Sequence, residues 1–140
     1  MIKEINKEFA PISISTRNHH LKERIVFQEV SNIGLKTRIN GIILNNILCG
    51  HTTNYMYPKD KDVKLQYLLA ILNSSIINYF FKFFNQTNHV PVGEVKTIPF
   101  PKIPLSEQQP FIEKADIMLA LNKNFHEKLG KSTEFLKERF

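Results

Sequence analysis

The chain has 140 residues, 42% of them hydrophobic, which suits one domain with a real core and excludes a globally disordered chain. Nineteen Lys+Arg against thirteen Asp+Glu leave a net charge of +6 at pH 7, a balance that favours a polyanionic partner, nucleic acid before a membrane. Cys49 is the single cysteine, so an internal disulfide is excluded and a reducing, cytoplasmic setting is expected.

Residues 2–9 alternate charged and apolar side chains, which is not a signal-peptide pattern. Residues 10–15 (APISIS) alternate as a strand does, and residues 16–23 (TRNHHLKE) read as a polar loop. Residues 24–30 (RIVFQEV) are β-branched and aromatic, and residues 41–50 (GIILNNILCG) form a longer apolar run between glycines, so both predict strands. A tight turn at Gly50-His51 leads to a strand over residues 52–57, which Pro58 ends.

The period then changes. Leu65, Leu68, Leu69, Leu72, Ile76, Phe80 and Phe83 recur at three- and four-residue steps, which predicts a helix. Asp60 and Asp62 precede it, favourable at a helix N-terminus. Asn73-Ser74-Ser75 competes for backbone hydrogen bonds and predicts a break. The second piece (IINYFFKFF) is apolar nearly all round, which predicts burial on several sides. The run 75–84 carries Lys82 and is far shorter than the ~20 residues of a membrane span, so no membrane partner is expected. Residues 85–96 read as a polar loop leading to a short strand near 95–98. Pro99, Pro101 and Pro104 then make a stiff connector.

Ser106 and Gln109 resemble a capping box with Leu105 as its staple, but Pro110 disfavours α geometry at Gln109, so the regular helix is expected to start at Pro110. Phe111, Ala115, Met118, Asn122, Phe125, Leu129, Ser132 and Leu136 then form a heptad seam with a polar residue inside it. A seam of roughly 26 residues spans about 40 Å at 1.5 Å per residue, longer than a small domain is wide, so part of it should project and pair with a second helix. The pattern as a whole is α+β: a small, mostly antiparallel sheet packed with a kinked apolar helix, then a long C-terminal helix. It divides into a domain over 1–104 and a helix over 105–140.

Catalytic constellations are weak. One cysteine and scattered histidines fall short of a structural zinc site. Asp60 or Asp62 with Glu94-Val95-Lys96 mimics an acid…acid-x-lysine Mg²⁺ nuclease arrangement, which keeps a small Mg²⁺-dependent nuclease as an alternative. No Gly-x-Ser-x-Gly and no glycine-rich phosphate loop occurs. Three polar loops instead carry base-reading chemistry: Arg17, Asn18, His19 and His20; His51, Thr52 and Asn54; and Asn85, Gln86, Asn88 and His89. Forked Arg, Asn and Gln side chains match guanine and adenine edges. Lys22, Arg24, Lys36, Arg38, Lys82 and Lys96 are the candidate phosphate anchors.

Three stretches resemble the TaqI-like C-terminal specificity domain of restriction–modification DNA methyltransferases and, more distantly, type I specificity subunits. They are KERIVFQEVSN (22–32), LQYLLAILNSSIINYFFKF (65–83) with its Leu-Asn-Ser helix, and VKTIPFPKIPLSEQQPFIEKAD (95–116) with its Ile-Pro-x-Pro strand and Glu-Gln-Gln helix start. The resemblance implies a domain that reads double-stranded DNA through its loops. It also implies a helix that docks on a methyltransferase or restriction catalytic domain, or pairs with a second specificity helix. Two copies pairing as a weak homodimer would satisfy the same seam. No Asn-Pro-Pro-Tyr, Asp-Pro-Pro-Tyr or cofactor-binding glycine loop is present. The resemblance therefore leaves S-adenosylmethionine, and Mg²⁺ if the parent system cleaves, to the parent enzyme. The chain is expected to be a piece of a larger enzyme or a separate specificity subunit; the alternatives are the nuclease and a protein-interaction module working through the final helix.

Overall fold

The computed structural model describes residues 19–137, with side chains from 20 to 130. The strand expected at 10–15, Arg17 and Asn18, and the side chains of His19, Ser132 and Leu136 lie outside the described residues. The fold is α+β. A single 3-10 turn (His19–Leu21) leads into β1 (Arg24–Gln28), followed by β2 (Gly41–Leu44) and β3 (Thr53–Met56). The helices are α1 (Leu65–Leu72), α2 (Ser75–Phe84), the one-turn α3 (Val92–Val95) and the long α4 (Leu105–Lys137).

β1 is the central strand of the sheet, with order β2-β1-β3. Both neighbours run antiparallel to it, Val26 opposite Ile42 on one side and Tyr55 on the other. β2 and β3 therefore run the same way on opposite flanks, and residues 45–52 cross between them. The Gly50-His51 turn is real, with Thr53 donating its N–H to Gly50 at 3.2 Å, but it opens β3 rather than joining paired strands. The apolar run expected as a strand to residue 50 stops at Leu44, and Asn46 turns the chain at a positive φ of 52°. Asparagine tolerates that region better than branched residues do.

Alternation along β1 divides the work. Ile25 and Phe27 join Leu68, Leu69, Leu72, Ile77 and Phe81 in the core. Gly41 is required where β2 crosses α1: a Cβ there would stand 2.8 Å from Ile25 Cγ2 and 3.2 Å from Leu69 Cδ1. α1 and α2 meet at a 60° bend where Asn73-Ser74 interrupts the helix. Ser74 caps α2 by accepting from the Ile77 N–H at 3.2 Å. Asn73 grips Gly41 twice, accepting its N–H at 2.7 Å and donating to its carbonyl at 2.9 Å. Asn78, fully buried, accepts the N–H groups of Arg38 and Ile39, both at 2.7 Å, and donates to the Ile39 carbonyl at 3.1 Å. Two amides thus supply residues 38–41 with a strand-like ladder where no strand is available, since a buried backbone group left unpaired is costly.

Two expectations are corrected. Residues 92–95 form a helical turn, not the approach to a strand at 95–98. α4 begins at Leu105, so Ser106 lies inside it and Pro110 is accommodated in its second turn. Asp60 and Asp62 precede α1, whose own first turn holds no acid, and Asp60 pairs with Lys102 at 2.7 Å. No single described helix is long and apolar enough to cross a membrane; α1 and α2 reach that length only together, across their bend.

Candidate nucleic-acid interface

The far end of β1 gathers two of the three polar loops. Glu29 donates its N–H to the Thr52 carbonyl at 2.8 Å and accepts from the Val90 N–H at 2.6 Å. Val30 bridges His89, and Ser31 donates to the Asn88 carbonyl at 2.9 Å. The His51-Thr52 turn and residues 86–89 therefore flank the same short extension of β1. His51, Thr52, Gln86, Asn88 and His89 are exposed there. Asn88 accepts from the Ile33 N–H at 2.8 Å through its side-chain oxygen. Asn54 is turned inward and donates to the Val90 carbonyl at 2.9 Å. His20 sits before the opposite end of β1, with the Lys22 side chain exposed beside it, so His20, the described base-reading candidate of the first polar loop, does not join this cluster.

Arg38 behaves as a strut and not as a phosphate anchor. It is buried, and one terminal nitrogen donates to Asn85 Oδ1 at 3.1 Å, the Thr87 carbonyl at 2.6 Å and the His89 carbonyl at 3.3 Å. Its guanidinium lies 5.7 Å from the Phe81 ring centre, and its other nitrogens find no hydrogen-bond partner among the described residues. Burial pushes its pKa below the ordinary arginine value, and the negative charge of Glu94 pulls it back up. Asn85 is buried too, its amide donating to Glu94 Oε2 at 2.6 Å. Arg38, Asn85 and Glu94 thus shape the 86–89 loop from inside, and the sequence-derived roles of Arg38 and Asn85 as DNA contacts give way to this one.

Arg24 is corrected in the same way. It is buried against the crossing segment 45–52, donating to the carbonyls of His20 at 3.1 Å and Ile47, with Cys49 Sγ at 3.7 Å. Its guanidinium lies 5.8 Å from the Tyr55 ring centre. Lys22, Lys36 and Lys96 remain exposed, and Lys82 is half-buried, donating to the Leu35 carbonyl at 3.1 Å. Only these four lysines of the six cations named from sequence keep a charge accessible to phosphate.

The acids do not assemble a metal centre. Among the described residues no three His, Cys, Asp or Glu side chains group where a metal could sit. Lys102 holds the Asp60 carboxyl below its usual value through their hydrogen bond, Asp62 donates its N–H to Asp60 at 3.0 Å, and Glu94 is engaged by Asn85. The glycines sit apart in turns, in β2 and within α3 and α4, and none opens a phosphate-binding loop among the described residues.

The sequence reading missed the outer face of α2. Ile77, Asn78 and Phe81 point inward, but Ile76, Tyr79, Phe80, Phe83 and Phe84 are exposed. The prediction of burial on several sides is corrected: among the described residues the helix buries one side only, through Ile77, Asn78 and Phe81. With Lys36, Thr37, Lys82 and Gln86, part of that face forms an open groove beside the 86–89 loop. Of the helix-pairing candidates on α4, Ala115 is buried and Phe111 packs edge-on to Tyr67 with ring centres 5.4 Å apart. Met118, Asn122, Phe125 and Leu129 are exposed, although Leu119 still packs on the core and Met118, Asn122 and Phe125 line a groove shared with Gly41, Ile42 and Leu69.

Against known families, residues 2–105 match the sequence model of the TaqI-like C-terminal specificity domain. The chain belongs to this family. No curated protein and no solved structure matches it. Specificity domains of this kind serve DNA sequence recognition in restriction–modification systems, and they are generally non-catalytic.

Within this TaqI-like domain the motif residues turn out to be fasteners. The Asn of Leu-Asn-Ser is Asn73, which holds Gly41. The middle residue of Glu-Gln-Gln is Gln108, fully buried, which donates to the carbonyls of Asp62 at 2.7 Å and Ile103 at 3.0 Å and accepts from the Lys64 N–H at 3.0 Å. Tyr67 donates its hydroxyl to Pro101 at 2.8 Å. Together they lock the proline connector and the first turns of α4 onto α1.

Proposed function

We propose that this chain reads a specific duplex DNA sequence in the cytoplasm as the non-catalytic specificity domain of an adenine-specific methyltransferase in a type II restriction–modification system. The observation that carries the reading is its membership of the specificity-domain family over residues 2–105. The exposed donors and acceptors at the end of β1 support it: His51, Thr52, Gln86, Asn88 and His89 offer base-edge chemistry from two adjoining loops. Lys36, Lys82 and Lys96 supply phosphate contacts, with Lys22 adding one at the opposite end of β1.

Methylation belongs to a partner catalytic domain, which supplies the S-adenosylmethionine site and any Mg²⁺ site. The described residues of this chain do not fit that cofactor, since none of their glycines opens a cradle for it. α4 aims the reader at that partner or at a second specificity helix. Its exposed Met118, Asn122, Phe125 and Leu129 provide the seam, and in isolation two copies pair weakly through it.

Selection of duplexes from a random-sequence pool tests the reading. A defined enriched motif is expected, bound with an affinity whose logarithm falls with log salt at a slope of about −4 to −5 for some 4–6 phosphate contacts. A pool that returns no motif, or a chain that nicks plasmid with Mg²⁺ or Mn²⁺, overturns it.

A further inference from the structure

Ile76, Tyr79 and Phe83 are 79%, 67% and 67% exposed, an unusual amount of apolar side chain to leave on one helix face of a small domain. Their spacing of three and four places them in one stripe. Tyr79 and Phe83 stand edge to face with ring centres 5.0 Å apart, which fixes one ring against the other. The groove they line is bordered by Lys36, Thr37, Ser75, Lys82 and Gln86, and among the described residues no acidic side chain lines it. Lys82 is held in place by its bond to the Leu35 carbonyl at 3.1 Å, and Gln86 by its bond to the Lys82 carbonyl at 2.9 Å.

We infer that this stripe is a second DNA-contacting element, with Tyr79 and Phe83 pressing on an unstacked base step while Lys36 and Lys82 hold the flanking phosphates. The inference rests on the DNA-reading proposal and adds the mode of contact to it. Charge decides the occupant: among the described residues two lysines and no carboxylate border the rings, which matches a polyanion whose bases have π-faces. Location agrees, because Gln86 belongs both to this groove and to the exposed loop at the end of β1. A duplex reaching the loop at 86–89 therefore lies beside the stripe. Bases differ little in their π-faces, so the stripe contributes affinity and duplex distortion, while the loops discriminate.

The test uses the full chain and the duplex pool selected by the wild type. Tyr79→Ser with Phe83→Ser is expected to weaken binding about ten-fold or more while leaving the salt slope unchanged, since every lysine–phosphate pair is retained. Lys36→Gln with Lys82→Gln is expected to lower the slope by about two. A duplex carrying a central abasic site, already unstacked, is expected to bind the wild type more tightly than the intact duplex, and the aromatic double variant is expected to lose that preference. Circular dichroism and thermal melting of each variant identify any that is misfolded, and Phe83→Leu then replaces the serine variant as the test of ring stacking. Normal binding by a folded aromatic variant overturns the inference and assigns the stripe to a protein contact, while the reading of the loops stands. A wild type that selects no duplex overturns the underlying proposal and this one with it.

Discussion

The helix break at 73–78 and the loop at 85–89 are both rich in asparagine, yet they spend their amides in opposite ways. Asn73 and Asn78 turn inward, and both ends of each amide meet backbone groups of residues 38–41. In the loop, Asn85 also turns inward, but Gln86, Asn88 and His89 remain at the surface. The lesson is that an amide-rich stretch is a fastener when backbone without a strand partner lies opposite it, and a reader when nothing does. Arg38 joins the two regions: its backbone N–H is held by Asn78, and its side chain holds the loop.

Asn78→Ala gives the largest expected effect. Alanine is the better helix former, so any loss comes from the stranded partners and not from α2 itself. The N–H groups of Arg38 and Ile39 and the carbonyls of Ile39, Leu72 and Ser74 each lose a bond, at about 1–3 kcal/mol for a group left unsatisfied, partly relieved by entering water. A total near ~3 kcal/mol is expected, seen as a lower denaturant midpoint with an unchanged slope. A loss under ~1 kcal/mol would show that the amide ladder is not what holds residues 38–41.

Much of this contrast lies beyond sequence reasoning, for a physical reason. Strand β1, the break at 73–75 and the long helix are legible because each depends on local periodicity or on residues that compete for their own backbone. The inward turn of Arg24 and Arg38 is not, because it depends on which carbonyls the crossing segment and the 85–89 loop leave unpaired, and those become neighbours only in the fold. The α2 face illustrates the same limit: the local pattern shows a helix apolar all round, but which of its sides is covered is decided by residues distant in sequence. The pairing of 51–52 with 88–90 across β1 carried no periodic signal either, since one isolated bridge and three backbone bonds make it.

The exposed side of the comparison is sharpened by Gln86→Ala with His89→Ala. Both side chains are at the surface, so stability should stay within ~0.5 kcal/mol of wild type. Discrimination between the selected motif and random duplex should fall by about 1–3 kcal/mol for each base edge that is no longer gripped by a forked side chain. Lys22→Gln and Lys96→Gln should instead weaken all duplexes alike and lower the salt slope by about one each. Equal losses on both duplexes for the loop variant would make Gln86 and His89 ordinary loop residues.

α4 repeats the contrast along a single helix, with Gln108 and Ala115 buried and Phe125 and Leu129 exposed at 59% and 47%. Phe125→Glu with Leu129→Glu should leave the melting curve within ~0.5 kcal/mol of wild type and abolish concentration-dependent association in sedimentation. A wild type that stays monomeric over a wide concentration range removes the homodimer and leaves only a different partner for the seam.

The smallest effect belongs to the one ion pair that ties the connector to the approach of α1, Lys102 to Asp60 at 2.7 Å. Both groups are solvent-accessible, so the pair is screened and contributes little, unlike the uncharged Asn78 bonds, which no pH change touches. The hydrogen bond from Lys102 is the first cause of the lowered Asp60 pKa, and the same bond raises that of Lys102. A depressed carboxylate pKa means the unfolded chain binds the proton more readily than the folded one. The pair's contribution is therefore fully present above the ordinary aspartate value of about 4 and is lost as pH falls through the lower folded value. For Lys102, whose folded pKa is raised, the contribution holds below the ordinary lysine value near 10.5 and fades as pH rises past the folded one. Asp60→Asn should thus show a small, constant deficit between those limits that vanishes at either extreme and shrinks in high salt. Melting temperatures of both proteins across pH and ionic strength give the measurement. A deficit that persists unchanged in strong acid would mean that Asp60 contributes by something other than its charge.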